Sequence, residues 1–138
     1  MQGVVIIFAV KTRIYYQDTD AGGVVYHARY LDFFERARAD WLRHLSFESS
    51  RLVRDFGVIL VVRKLALNYH HPARLDDEVD VSVDAVDVGR AQVTIAQSVR
   101  RAGLMLADAS VNLALIHACK FMPVRFPLAL KEALQHYV

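Results

Sequence analysis

Tyr16-Gln17-Asp18-Thr19-Asp20-Ala21-Gly22-Gly23-Val24-Val25-Tyr26-His27 is the stretch of sequence that decides the fold. An acidic turn and two glycines lead directly into a helix that the spacing predicts to reach about Leu45. The first turn of a helix has unpaired N–H groups, which can bind an anion or polarise a carbonyl oxygen. A carboxylate next to such donors is one way to build a site that attacks a carbonyl group.

The residues that follow this turn have the period of an amphipathic helix. On a wheel of 3.6 residues per turn, apolar and charged side chains occupy opposite faces. The apolar face consists of Tyr26, Tyr30, Phe33, Phe34, Ala37, Trp41 and Leu45. The charged face consists of Arg29, Asp32, Arg36, Asp40 and Arg43. We therefore predict a helix whose stability comes mostly from burial of its aromatic face.

The rest of the chain reads mainly as β-strands, because β-branched and alternating residues are typical of strands. The predicted strands are Val5 to Tyr16, Val58 to Tyr69, a strand from Val79 with a bulge near Ala85, Gln92 to Arg101, and Leu104 to Ala118. Short helical segments are predicted from Phe47 to Phe56, ending at Gly57, and from Pro127 through Leu130, Leu134 and Tyr137. This order predicts an α+β fold, with one antiparallel sheet wrapped around a single long central helix in a single domain of residues 1–138.

Composition excludes several classes of protein. Hydrophobic residues make up 54% of the 138 residues and charged residues 23%, which is typical of an ordered, core-rich domain. The net charge is +2 without any run of five like charges, so we expect no nucleic-acid partner. Cys119 is the one cysteine, which suits a reducing cytoplasm. The apolar segment Val4 to Val10 is much shorter than the ~20 residues of a spanning helix, so we expect no stable membrane insertion.

The residues from Tyr15 to Tyr30, followed by Phe34-Glu35-Arg36-Ala37-Arg38, closely resemble the hotdog-fold acyl-CoA thioesterases of the 4-hydroxybenzoyl-CoA thioesterase class. Val61-Val62-Arg63-Lys64 and Pro72-Ala73-Arg74-Leu75-Asp76-Asp77 are similar to its YbgC-like, Tol-Pal-associated branch. The resemblance covers roughly Arg13 to Pro123. It implies a hotdog fold and hydrolysis of acyl-CoA or acyl-carrier-protein thioesters without a metal or other cofactor.

The resemblance also implies a role for Asp20, which is the aspartate of the T-D-x-x-G element and the catalytic carboxylate of the class. Asp20 would act either as the nucleophile or as the general base on water, and the sequence leaves both open. We predict that the helix starts near Val25, which makes the backbone N–H of His27 an unpaired donor of its first turn. We assign that N–H to polarising the thioester oxygen, and the imidazole of His27 to orienting water or substrate. A metal site made of Asp18, Asp20 and His27 is disfavoured, because no second histidine cluster completes it.

Six further residues are predicted to bind substrate. Gly23 and Val24 lie where a ligand can approach the backbone closely, and Tyr16 and Tyr30 can line an acyl pocket. Arg63 and Arg90 are cations near a strand or turn that can reach the CoA phosphates. Gln17 stands where the branch commonly has glutamate, which changes the polarity near Asp20 without removing the chemistry.

Two other functions compete with hydrolysis. A hotdog-fold dehydratase would carry a catalytic histidine in an H-F-P-like element, and this sequence has none. A non-hydrolytic acyl-thioester-binding or scaffold protein of lipid synthesis would not require Asp20. We therefore expect a cytoplasmic thioesterase that works as a homodimer or homotetramer, with its site at a subunit interface.

Overall fold

The computed structural model describes residues 6–135 of the chain. Five strands and three helices account for most of this range. The strands are β1 (Phe8–Arg13), β2 (Val58–Tyr69), β3 (Glu78–Val88), β4 (Gln92–Arg101) and β5 (Leu104–His117). The helices are α1 (Arg29–His44), the single turn α2 (Ser49–Arg51), which continues as a π-helical turn over Leu52–Phe56, and α3 (Leu128–Gln135).

The strands form one antiparallel sheet in the order β1-β3-β4-β5-β2. Strand β2 pairs with β5 and not with its neighbour in sequence, so the loop between β2 and β3 crosses one end of the sheet. This arrangement confirms the predicted α+β hotdog fold. The predicted bulge near Ala85 is confirmed by a shift in register between Val83 and Ala85, and a second shift lies between Val62 and Lys64.

Helix α1 buries its aromatic face against the sheet. Phe34 and Ala37 are fully buried, and Tyr30, Phe33 and Trp41 are nearly so. Arg38 and Leu42 are also buried, so the buried face is wider than the predicted stripe. The prediction that Tyr26 belongs to this face is wrong: its side chain is 48% exposed, because it lies ahead of the helix.

The largest error of the sequence-based boundaries is the start of α1. We predicted that the helix starts near Val25, but it starts at Arg29. Val24 forms a bridge with Arg74, and the N–H of Val25 donates to the carbonyl of Ala73 at 2.9 Å, so the chain is still extended at these residues. These partners lie about 50 residues away in sequence, and no local pattern identifies them.

The other boundaries agree with the sequence to within a few residues. Strand β1 is shorter than predicted at both ends, and Val5 lies outside the described residues, as does Tyr137 of the predicted last helix. Gly57 adopts φ 66° after the second helical segment, as its predicted role at a helix C-terminus requires. No helix within residues 6–135 has the length and apolar character needed to cross a membrane.

Replacing Phe34 with Ala tests the importance of the buried face. We expect the free energy of unfolding to fall by about 3–5 kcal/mol, because Phe34 is fully buried and its removal leaves a cavity. Leu31→Ala on the same helix is the matched control, since Leu31 is 40% exposed and should cost less than about 1 kcal/mol. Urea denaturation of both variants measures the difference, and equal losses would contradict this packing.

Candidate active site

Residues 18–26 fold into a tight hairpin that precedes α1. The N–H of Tyr26 donates to the carbonyl of Asp18 and the N–H of Asp20 donates to that of Val24, both at 2.9 Å. At the tip, the N–H of Gly23 donates to the carbonyl of Asp20 at 3.0 Å. Gly23 has φ 76°, a conformation that favours glycine. The hairpin is therefore closed by its own backbone bonds.

Asp18 joins this hairpin to the first turn of α1. Its side chain is almost completely buried. Oδ2 accepts a hydrogen bond from the N–H of Tyr15 at 2.9 Å, and Oδ1 lies 3.4 Å from Nε of Arg29. Arg29 also donates to the carbonyl of Gln17 at 3.0 Å. Both carboxylate oxygens of Asp18 are thus engaged within the protein, which makes its role structural.

Asp20 has the opposite environment, because its side chain is exposed at the tip of the hairpin. Oδ1 accepts a hydrogen bond from the N–H of Gly22 at 2.8 Å. A Cβ atom at position 22 would lie 3.1 Å from that same oxygen, so glycine leaves room for the contact. In the described part of the chain Oδ2 accepts no hydrogen bond. One oxygen therefore orients the carboxylate while the other faces open space.

Asp20 lines an open cleft of about 410 Å³. The other residues of this cleft are Tyr16, Thr19, Ala21, Gly23 and Leu75. The structure therefore brings together three of the predicted site residues, Tyr16, Asp20 and Gly23. Tyr16 is the most exposed of the large side chains here, and its ring stands beside the cleft and not in the core.

His27 lies two residues before α1, one residue ahead of the N-cap Ala28. The prediction that its N–H belongs to the first turn of the helix is wrong, because α1 starts two residues after His27. The N–H nevertheless remains free, since among residues 6–135 it has no acceptor. The hydroxyl of Tyr69 donates to the carbonyl of His27 at 2.7 Å. This bond fixes the peptide group between His27 and Ala28, which is the next one along the chain after the peptide that carries the free N–H.

His27 lines a second cleft, of about 250 Å³. The other residues of this cleft are Val25, Tyr30, Tyr69, His70, His71 and Pro72. Tyr30 is buried at its base, where its Oη accepts a hydrogen bond from the N–H of Ala73 at 3.3 Å. Burial raises the pKa of the Tyr30 phenol, so it remains protonated at neutral pH. Its hydroxyl hydrogen is thus available to donate.

The hairpin stands between these two clefts. Thr19 of the first cleft pairs directly with Val25 of the second. Val24 is half-buried between them and pairs with Arg74. A substrate that contacts both Asp20 and the N–H of His27 would therefore lie across the hairpin, along its exposed side.

The two predicted phosphate contacts lie away from both clefts. Arg63, at the bulge of β2, lines a shallow groove of about 430 Å³ together with Lys64 and polar residues of β4 and β5. Those residues alternate with core residues, so the groove lies on the sheet face away from α1. Arg90 is in the turn after β3, at the opposite end of that strand from Ala73. Within one chain, the fold does not bring Arg63 or Arg90 to Asp20.

A histidine–aspartate pair beside the second cleft is not apparent from the sequence. Nε2 of His70 lies 2.7 Å from Oδ2 of Asp108, and Asn68 donates to the other oxygen at 2.9 Å. The hydrogen bonds from Asn68 and His70 lower the pKa of Asp108. Asn68 of β2 and Asp108 of β5 are cross-strand partners. The sequence alone does not reveal this pairing, so it could not predict that these residues lie together.

No group of three or more metal-ligating His, Cys, Asp or Glu side chains occurs within residues 6–135. The three residues that we considered as a metal site have separate environments. Asp18 is buried with Arg29, whereas Asp20 and His27 line different clefts. The described residues therefore offer a carboxylate with one free oxygen at Asp20 and a free backbone N–H at His27, which suits attack on an acyl group.

Replacing Asp18 with Ala tests its structural role. We expect a loss of about 2 kcal/mol in the free energy of unfolding, because the N–H of Tyr15 and the guanidinium of Arg29 lose a buried carboxylate as their partner. Asp32→Ala is the matched control, since Asp32 pairs with the same Arg29 but is exposed and should cost under about 0.5 kcal/mol. Chemical denaturation measures both, and an Asp18→Ala variant as stable as the control would refute the assignment.

Comparison with known proteins shows the family of the chain. Residues 22–107 match the Thioesterase superfamily. Acyl-CoA thioesterase YbgC of Haemophilus influenzae is 44% identical over 129 residues, which cover 94% of this chain and 95% of that protein.

Solved structures lead to the same family. A probable thioesterase from Bartonella henselae superposes with a TM-score of 0.81 at 34% identity, covering 86% of this chain and 98% of that one. A DHNA-CoA thioesterase from Staphylococcus aureus superposes with a TM-score of 0.86 at 25% identity, covering 94% and 89%. The fold, the exposed carboxylate at the tip of the hairpin and these matches together place the chain in the Thioesterase superfamily.

Proposed function

We propose that this chain hydrolyses acyl-CoA thioesters to a free acid and CoA, with Asp20 and the N–H of His27 as its working groups. The observation that supports this mechanism is the hydrogen bonding of the Asp20 carboxylate. One oxygen is held by Gly22 at 2.8 Å while the other has no partner within residues 6–135. A carboxylate held in this way is oriented without being neutralised.

The N–H of His27 would supply the electrophilic half of the site. A thioester carbonyl that accepts this bond develops negative charge as it is attacked, and one such donor is worth about 3 kcal/mol in comparable sites. The CoA thiolate is a good leaving group, because the pKa of a free thiol is about 8.5. Expulsion of the thiolate therefore needs little help from an acid.

Asp20 has two possible roles in the attack. As nucleophile, its oxygen bonds to the acyl carbon, the C–S bond breaks, and water then hydrolyses the mixed anhydride. As general base, it takes a proton from water while the water oxygen bonds to the same carbon. We favour the general base, because Asp20 is exposed on a cleft of about 410 Å³ that admits water. The free second oxygen of Asp20 gives no support to the non-hydrolytic alternative, which would not require this carboxylate.

We also propose that the protein forms a homodimer through β2. This strand is twelve residues long and is at the edge of the sheet. It carries the exposed apolar residues Val62, Leu65 and Tyr69. An exposed apolar edge of this length is a template for pairing with a second strand. Such pairing would place a second copy next to the cleft of His27, because Tyr69 at the end of β2 lines that cleft.

The dimer gives the predicted phosphate contacts a function. Arg63 lies on the pairing strand, and Arg90 lies at the far end of the sheet from Asp20 in its own chain. A partner that runs antiparallel would bring these cations towards the other chain's hairpin, where the CoA phosphates would lie. We propose that the protein acts in the cytoplasm as a single domain without a cofactor, and that acyl carrier protein is an alternative carrier of the substrate. A homotetramer would require a second interface beyond β2.

Replacing Asp20 with Asn tests the mechanism. We expect kcat for acyl-CoA hydrolysis to fall by about 10²–10⁴-fold, because the amide cannot accept a proton or attack the carbonyl. The free energy of unfolding should be unchanged, since the side-chain oxygen can still accept the N–H of Gly22. Asp76→Asn is the matched control, an exposed aspartate next to the cleft residue Leu75, and should retain normal turnover. Thiol release across short, long and aromatic acyl-CoAs measures both, and near-normal rates for Asp20→Asn would exclude the mechanism.

Replacing Leu65 with Glu tests the dimer. We expect the variant to sediment as a monomer, because a charge on a paired edge strand would lose its water. Leu104→Glu is the control: Leu104 is similarly exposed but lies at the turn between β4 and β5, beyond the residues of β5 that pair with β2. Analytical ultracentrifugation distinguishes monomer, dimer and tetramer. A Leu65→Glu variant with the same mass as wild type would rule out pairing through β2.

A further inference from the structure

A partly open cavity of about 100 Å³ lies between the C-terminal half of α1 and the sheet. Its walls are mainly apolar. They are formed by Glu35, Arg38, Ala39, Trp41, Leu42, Ser49, Leu60, Val93, Ile95, Leu113 and Leu134. None of these residues lines either cleft of the hairpin. Arg38 lies nine residues after Arg29, the first residue of α1, which is about 14 Å along the helix axis, so this cavity is separate from the candidate active site.

Arg38 is the unusual group in this cavity. Its side chain is only 9% exposed, and its Nη1 donates to Oε1 of Gln97 at 3.0 Å. Gln97 is itself fixed, because its Nε2 donates to the carbonyls of Phe34 at 3.1 Å and Ser82 at 3.3 Å. The guanidinium is therefore held in one orientation by a neutral amide, and not by a carboxylate.

In the described part of the chain no carboxylate forms a direct ion pair with Arg38, and only the charge of Glu35 acts on it from a longer distance. No Asp or Glu oxygen among residues 6–135 lies within 4 Å of its nitrogens. Fully buried side-chain nitrogens without a partner are also absent from that range. The two remaining guanidinium nitrogens must therefore border open space, and the cavity is the open space that Arg38 lines.

A buried guanidinium without a paired carboxylate would be stabilised by a bound anion. Desolvation lowers the pKa of Arg38, and charged groups are buried at a large cost unless they are paired. The planar guanidinium is suited to a carboxylate, and the apolar walls are suited to a short hydrocarbon chain. We propose that this cavity binds a short aliphatic monocarboxylate, with its carboxylate group on Arg38 and its chain against the apolar walls.

The volume of the cavity limits the length of the acid that it can hold, and its entrance identifies residues that affect binding. A cavity of roughly 150 Å³ holds benzene, so about 100 Å³ suits an acid of two to four carbons and is too small for octanoate. Glu35, Ala39 and Ser49 are the lining residues of the helical segments that reach solvent, and they mark the entrance. The negative charge of Glu35 faces an entering anion and opposes its binding.

The ligand class is that of the acid released by thioester hydrolysis, but the site does not depend on the proposed function. An acid from solution and an acid formed by turnover have the same chemistry. The Asp20→Asn variant distinguishes the two sources, because it should form acid at least about 10²-fold more slowly and should still bind added butyrate. Loss of hydrolysis and loss of butyrate binding are therefore separate results.

Trp41 provides a direct reporter, because it is the only tryptophan of the chain and lines the cavity. Its indole N–H resonance can be followed by NMR as butyrate, its neutral isostere butyramide, or octanoate is added at pH 7. We expect saturable butyrate binding with a Kd on the order of 1 mM. Butyramide should bind at least about tenfold more weakly, because it lacks the charge that pairs with Arg38.

Four variants complete the experiment. Arg38→Met should weaken butyrate binding at least about tenfold, and Ala39→Leu should do the same by blocking the entrance while Arg38 stays in place. Glu35→Gln should strengthen binding by about two- to fivefold through loss of the opposing exposed charge. Arg36→Met, on the exposed face of the same helix, should bind like wild type.

Two results would overturn the proposal. One is equal affinity of the wild-type protein for butyrate and butyramide, or no saturable binding of butyrate. The other is butyrate binding by both Arg38→Met and Ala39→Leu that matches that of Arg36→Met. The dispersion of the amide NMR spectrum shows whether each variant is folded, and Ala39→Leu keeps the test valid if Arg38→Met is not.

Discussion

Burial of α1 against the sheet is the constraint on which the rest of the structure depends. The helix carries Phe34 and Trp41 into the core, where they form one cluster with buried residues of the strands. The position of the helix determines where the chain before it can lie. The hairpin of residues 18–26 is consequently held between the first turn of α1 and the loop that contains Ala73. The candidate active site is thus a product of core packing, although its own groups are exposed.

Within the hairpin, two aspartates of the same short motif have different tasks. Asp18 is buried and engages both oxygens, one with the N–H of Tyr15 and one with Arg29. Asp20 is exposed and engages one oxygen with Gly22. The difference comes from the hairpin geometry, which turns one side chain towards α1 and the other towards the open cleft. The structure therefore uses one carboxylate to hold the loop and leaves the other available for chemistry.

The sequence was sufficient for the elements whose signal is local and insufficient for what depends on distant partners. Helix α1 and the strands have strong periods, and the bulge near Ala85 appears as a break in alternation. The extended conformation of Val25, by contrast, depends on Ala73 in a loop far along the chain. The Arg38–Gln97 pair joins residues 59 positions apart, and a wheel treats such an arginine as surface. For the site itself, the motif identified Asp20 but not the cleft that it lines.

The central claim is that a thioester carbonyl lies across the hairpin, with its oxygen on the N–H of His27 and its carbon facing Asp20. A crystal structure of the Asp20→Asn variant with a bound acyl-CoA measures this directly. The account predicts a distance of about 3 Å between the carbonyl oxygen and the backbone nitrogen of His27. It also predicts that the side chain at position 20 lies within about 3.5 Å of the carbonyl carbon or of a water that contacts it. A thioester bound with its carbonyl away from both groups would contradict the account.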